Sequence, residues 1–267
     1  MKRLSGFNFV TCIVLCMVML LAGCAGNKKA DEAQETLKIG IDANFSPFSY
    51  KNDEGKFVGL DIELAQEAAK RLHKKAKFIP LRWAAKDEAL NNGEIDCIWS
   101  CYSMDGREKK YSWTKPYMKS GQYAVIRKDS DILSLKNLQG KTIAVHSSTK
   151  FHEAVKNGTI KAGKILEFYT VDECLNAVAS GKADATGGHM AVMLDRVKAG
   201  VGKSNLEVLE QQPINTNNIG VAFKKDNIKA AQELSKVLDD MYNDGTMERI
   251  VARYYLSKDV LTHEENK

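Results

Sequence analysis

IDCIWSCYSMDGR, residues 95–107, starts as an apolar run of strand length, Ile95-Asp96-Cys97-Ile98-Trp99. It then breaks into small and polar residues, Ser100 to Gly106, and reaches Arg107. A buried strand that opens into a loop with hydroxyls, free backbone amides and one Arg suits a carboxylate. The guanidinium fork matches two carboxylate oxygens, and hydroxyl or amide donors complete the shell. The plainer alternative is that Arg107 pairs with a neighbouring acid such as Asp105 or Glu108.

Upstream, Lys2 and Arg3 precede an apolar run from Phe9 to Leu21, too short and wrongly flanked for an ordinary membrane span. Leu21-Ala22-Gly23-Cys24 follows and resembles the lipobox of bacterial lipoproteins. We therefore expect residues 1–23 to be a signal peptide, and residues 24–36 to be a lipidated Cys24 with a polar, flexible tether. The rival is an uncleaved N-terminal anchor. Both place the protein on the extracytoplasmic face of a cell membrane.

The body of about 230 residues is long enough for two modest domains. Its net charge falls from +5 to +3 once Lys2 and Arg3 leave, and no basic stripe with interleaved aromatics appears, so no nucleic acid is expected. Cys97, Cys101 and Cys174 remain, an odd number; Cys97 and Cys174 read as small core residues. Close Cys pairs with His are missing, so neither a metal nor a cofactor is expected. There is no P-loop, G-x-G-x-x-G, G-x-S-x-G or Ser-His-Asp pattern, and no residue is assigned as catalytic.

Leu37–Asp42 alternates like a strand and runs into the loop 43–50, which puts Asp42 and Phe45 at a strand's C-terminal end, where open α/β sheets bind ligands. Phe48 reads as core. A helix follows, with Asp61 as N-cap and Leu60, Leu64, Ala68 and Leu72 as its buried stripe. Strand 77–81, Trp83, a helix to Asn92, the central strand and strand 122–127 complete a β-α-β-α-β pattern, with 111–118 irregular between them. The pattern restarts at Lys141–His146. Ser147-Ser148-Thr149 then opens a helix, either as an anion site or as simple capping. Strand 164–169 and a helix capped by Asp172 come next, then a strand from Ala183 that runs into a Gly-rich turn at Gly187-Gly188-His189, and a helix through Val197. Strands at 206–212 and 218–224 precede two closing helices.

In this order and spacing, IDANFSPFSY, FVGLDIELAQEAAKRL, NNGEIDCIWSCYSMDGREKKYSWTKPYM, LKNLQGKTIAVHSST, SGKADAT, IGVAFKKDN and DGTMERIVARYY resemble the extracytoplasmic solute-binding proteins of ABC transporters for polar amino acids. The resemblance covers Leu37 to the last helix. It implies an α/β, two-lobed periplasmic-binding-protein fold of type II. Each lobe would be a mainly parallel sheet flanked by helices, with residues 37–127 and 219–267 in lobe 1 and 128–218 in lobe 2. The hinge of two crossover strands would run through 124–128 and 217–221. A monomer that captures an amino acid, polar or cationic, in the interlobe cleft and delivers it to an ABC permease is implied. A sensing module for a membrane receptor and a dehydratase-like enzyme on the same fold are the alternatives.

By the resemblance, Arg107 and Ser103 hold the ligand carboxylate, with Ser148 and Thr149 reaching it from lobe 2. Phe45 covers the ligand and Asp42 selects its side chain. Trp83, Trp99 and Tyr102 offer stacking surfaces, and Ser100 another hydroxyl. The loop 103–107 is one residue shorter than the usual T-x-T-P-E-R. His189 stands where the family usually carries the Asp that accepts the ligand's α-ammonium. The ligand then has a modified amine, or another acid makes that contact.

Overall fold

Two runs of apolar strand, one on each side of Met118, seed two separate sheets. The computed structural model describes residues 34–202, 205–211 and 213–262. The expected signal peptide, Cys24 and most of the expected tether lie outside the described residues. From Glu35 onward the chain folds as one compact unit.

The first sheet has the order β5-β1-β6-β14-β7. Its central strands are β1 (Thr36–Ile41), β5 (Lys75–Pro80) and β6 (Cys97–Ile98), paired in parallel. β14 (Ala222–Phe223) and β7 (Ser112–Trp113) add antiparallel pairings. The loop expected after β1 is instead a small antiparallel meander of β2 (Asn44–Phe45), β3 (Ser49–Lys51) and β4 (Phe57–Val58). The helices α1 (Leu60–Arg71) and α2 (Lys86–Asn91) cover this sheet, α1 through buried Leu60, Leu64 and Ala68. The closing helices are α6 (Ile228–Asn243) and α7 (Thr246–Arg253).

The second sheet has the order β10-β9-β11-β8-β12. β9 (Thr142–His146), β10 (Lys164–Phe168) and β11 (Ala185–His189) run in parallel. β8 (Met118–Arg127) lies antiparallel to β11, to β12 (Leu206–Val208) and to β13 (Asn215–Ile219). The helices α3 (Lys150–Lys156), α4 (Val171–Ala179) and α5 (Met190–Lys198) belong to this lobe. No described helix is long and apolar enough to cross a membrane.

Several local expectations change. Residues 124–127 are not the crossover: they pair with β11 and β12 inside the second sheet. The two long connections run side by side earlier, Met118–Gln122 against Asn215–Ile219. The stretch 218–224 breaks at Gly220, where an added Cβ would lie 2.7 Å from Met104 Sδ and the Met104 side chain would have to shift. Thr170, not Asp172, caps α4, in a capping box with Glu173. Cys97, Cys101 and Cys174 are all buried free thiols.

Asp61 is no N-cap, for the capping position is Gly59. Its buried carboxylate instead accepts the Cys101 N–H at 2.5 Å and the Tyr117 hydroxyl at 2.7 Å. It thereby fixes the loop after β6, where Cys101 has a left-handed φ of 45°. Asp61→Ala strands two buried donors and should cost about 2–6 kcal/mol. Urea unfolding should show a lower midpoint with an unchanged slope.

Candidate functional site

β6 ends at the cleft, and the loop behind it is pinned from both sides. Met104 N–H donates to Asn218 O at 2.8 Å, and Asn218 N–H donates to Asp105 Oδ2 at 2.6 Å. Gly106, at φ 76°, completes the turn, and Arg107 N–H closes it on Met104 O at 2.8 Å. This turn aims the Arg107 side chain into the molecule, where it is only 8 % exposed.

A small cavity lies between the lobes. Asp42, Phe45, Trp83, Ser100, Tyr102, Ser103 and Arg107 line it from the first lobe, and Thr149 and His189 from the second. Ser148 does not: its backbone is left-handed (φ 63°) and its N–H donates to His152 Nδ1. Trp99 is core, packed on Tyr117 at 6.0 Å. Thr149 also caps α3, accepting the His152 N–H at 3.2 Å.

Arg107 finds neither Asp105 nor Glu108. Its Nε donates to Glu153 Oε1 at 2.9 Å and its Nη2 donates to the same oxygen. Nη1 donates to Ser103 O at 3.1 Å, and the guanidinium lies 4.7 Å from the Tyr102 ring centroid. Glu153 comes from α3, in the opposite lobe, so this pair bridges the cleft. Lys150 Nζ joins it, donating to Glu153 Oε2 at 3.1 Å and to Asp105 O at 2.7 Å. Burial opposes ionisation of Glu153, but the Arg107 and Lys150 charges outweigh it and hold its carboxyl below the ordinary range.

Phe45 meets the His189 ring edge-on at 6.1 Å across the cleft. His189 Nδ1 lies 2.8 Å from Ser120 Oγ, and Nε2 lies 3.5 Å from Ser103 Oγ. Burial, then the Arg107 charge, pushes the imidazole down to about 3, so it is neutral at pH 7. Asp42 accepts the Asn44 N–H at 3.0 Å and faces His146 Nε2 at 3.8 Å. Burial raises the Asp42 carboxyl to about 6; burial, then the Lys86 charge, lowers His146 to about 4. Asp184 is structural, accepting the Thr142 N–H at 2.7 Å.

Residue patterns missed Cys101, Gln122, His146, Lys150 and Glu153. His146 ends β9 as Asp42 follows β1, so the same strand-end rule points to it. Gln122 and Glu153 carry no such signal, because only strand register and lobe closure bring them to the cleft.

The family profile of bacterial extracellular solute-binding proteins, family 3, matches residues 37–257. The chain belongs to that family. It is 28 % identical over 261 residues to the probable amino-acid-binding protein YxeM of Bacillus subtilis (strain 168), covering 95 % of this chain and 97 % of that one. An ancestral arginine-binding protein bound to arginine superposes with a TM-score of 0.76 at 30 % identity, covering 83 % of this chain and 98 % of the other. The ancestral amino acid-binding protein AncCDT-1, a precursor of cyclohexadienyl dehydratase, gives 0.75 at 30 % identity, covering 83 % and 96 %. These neighbours share the two-lobed fold expected from the sequence.

The site has a pH signature. The unfolded chain protonates His189 near 6.5, whereas the folded chain does so only near 3. The folded state therefore binds fewer protons in between, and its stability falls as pH drops through that window. Asp42, raised to about 6, acts in the opposite sense, losing its contribution as pH rises through 6. His189→Gln should remove a slope of up to about 1.4 kcal/mol per pH unit between roughly pH 6 and 4, read from urea midpoints.

Proposed function

We propose that this protein captures an amino acid or a close relative between its lobes, outside the cytoplasm, and hands it to an ABC importer. The observation that carries this reading is the buried Arg107 guanidinium at the cleft with a carboxylate already on it, that of Glu153. A site that holds one carboxylate in this geometry can hold another, and an incoming ligand carboxylate would take the place of Glu153. Ser103 and Thr149 then supply hydroxyls beside it, Phe45 a hydrophobic cover, and Asp42 with His146 a polar surface for the rest of the ligand. The reading is one of binding without turnover, by a monomer whose lobes open and close about the paired segments 118–122 and 215–219.

A thermal-shift screen across amino acids and their analogues tests it, since a ligand that binds only the folded state raises the melting temperature. Loss of an Arg–carboxylate contact is worth about 1.5–3 kcal/mol, so Arg107→Ala should weaken binding roughly 10- to 100-fold or more. Glu153→Gln removes the competing anion and should tighten binding by about tenfold in calorimetry. Carboxylate ligands that bind Arg107→Ala as well as the parent protein would sink the proposal.

The anchor is part of the same reading, on the strength of Leu21-Ala22-Gly23-Cys24. Cys24→Ser should abolish incorporation of labelled palmitate and release the protein from the membrane fraction.

A further inference from the structure

The antiparallel register of β11 on β8 sets His189 directly opposite Gln122. Directly opposed residues project from the same face of the sheet with Cβ atoms about 5 Å apart. Both side chains are buried, 5 % and 1 % exposed, and both line the cavity that holds Arg107. They offer complementary chemistry. Gln122 Nε2 is a buried amide donor with no hydrogen-bond partner. His189 is a neutral imidazole whose Nδ1 is held by Ser120. In the tautomer whose Nδ1–H donates to Ser120 Oγ, Nε2 presents a lone pair.

Two anions stand nearby. Among the described residues that line the cavity, Asp42 is the one carboxylate; it takes the Asn44 N–H, with His146 Nε2 3.8 Å away. Glu153, once a ligand carboxylate takes its place on Arg107, keeps Lys150 as its partner. An α-ammonium beside His189 would bring three donors and a buried positive charge to a neutral acceptor next to a guanidinium, and would leave Gln122 Nε2 unsatisfied. Each of those is costly. A secondary amide brings one N–H donor and one carbonyl acceptor in a plane, which is the complement of a His acceptor beside a Gln donor. Asn215 and Asn217 also carry buried, unpartnered amide oxygens, but neither lines the cavity.

We propose that the ligand is a carboxylate whose α-nitrogen is acylated: its carboxylate on Arg107, its amide N–H on His189 and its acyl oxygen on Gln122. This rests on the amino-acid-binding reading above and narrows it. Two sources carry that chemistry, an Nα-acyl amino acid and the C-terminal residue of a short peptide.

Calorimetry on the full body should compare three sets: free amino acids, their Nα-acetyl derivatives and the matching glycyl dipeptides. The expected result is that acetyl derivatives or dipeptides bind at least about tenfold tighter than the parent amino acids, and the tighter set names the source. Parent amino acids that bind as well or better overturn this inference and leave the amino-acid-binding reading standing, with Asp42 as the ammonium's partner. No binding in any set overturns both. His189→Asp supplies an anion where the ammonium would sit, so it should move preference toward the free amino acid by at least about tenfold; an unmoved preference counts against the inference. The comparison on the unaltered protein decides the question even where that variant fails to fold.

Discussion

A guanidinium cannot be buried alone. Arg107 is carried into the interior by a turn locked to β13, and once there it needs an anion, because an unpaired buried charge costs several kcal/mol. The first lobe does not provide one: Asp105 is spent on Asn218 N–H, and Glu108 accepts the Gly106 N–H. Glu153, from the other lobe, does. That demand ties the lobes together. Lys150 bonds to Asp105 O, Phe45 meets His189, and the Arg82 guanidinium lies 4.1 Å from the Tyr169 ring centroid, all across the same cleft. An internal carboxylate on Arg107 thus bridges the two lobes across the cleft.

The crossover ladder gives these contacts their geometry. β8 is a single strand with two kinds of neighbour: its start pairs with the returning connection β13, and its end is a member of the second sheet. Gln122 sits at the change, opposite both Asn215 and His189. A polar residue where the pairing partner of β8 changes is thus on the cavity wall. Gly187, two residues before His189, has the Phe151 ring 2.3 Å from where a Cβ would stand, so α3 and its Glu153 ride closely on the same strand.

Local signals made much of this legible. Alternation and apolar runs marked β1, β6, β9 and β10, because burial on one or both faces imposes those patterns on a strand. The strand-end rule found Asp42, and the loop after β6 singled out Arg107. The ends of elements were read less well. Asp61 and Asp172 looked like caps because short acids before apolar stripes usually are, yet Asp61 serves a donor forty residues away in the chain. Which strands β8 pairs with along its length could not be read, since nothing in QYAVIR tells which residues pair with which strand.

Sequence by itself therefore settled the family, the two-lobed architecture and the identity of the buried Arg, since those rest on ordered local patterns. By the resemblance, it also marked His189 as standing where the family usually carries an Asp. Only the tertiary structure decided what Arg107 is paired with and what stands beside His189. Glu153 reads as one more solvated acid on a short helix, and Gln122 as the polar start of a strand. Their roles arise from contacts 46 and 67 residues apart in the chain, which depend on lobe closure and on antiparallel register. Neither closure nor register leaves a mark in local composition.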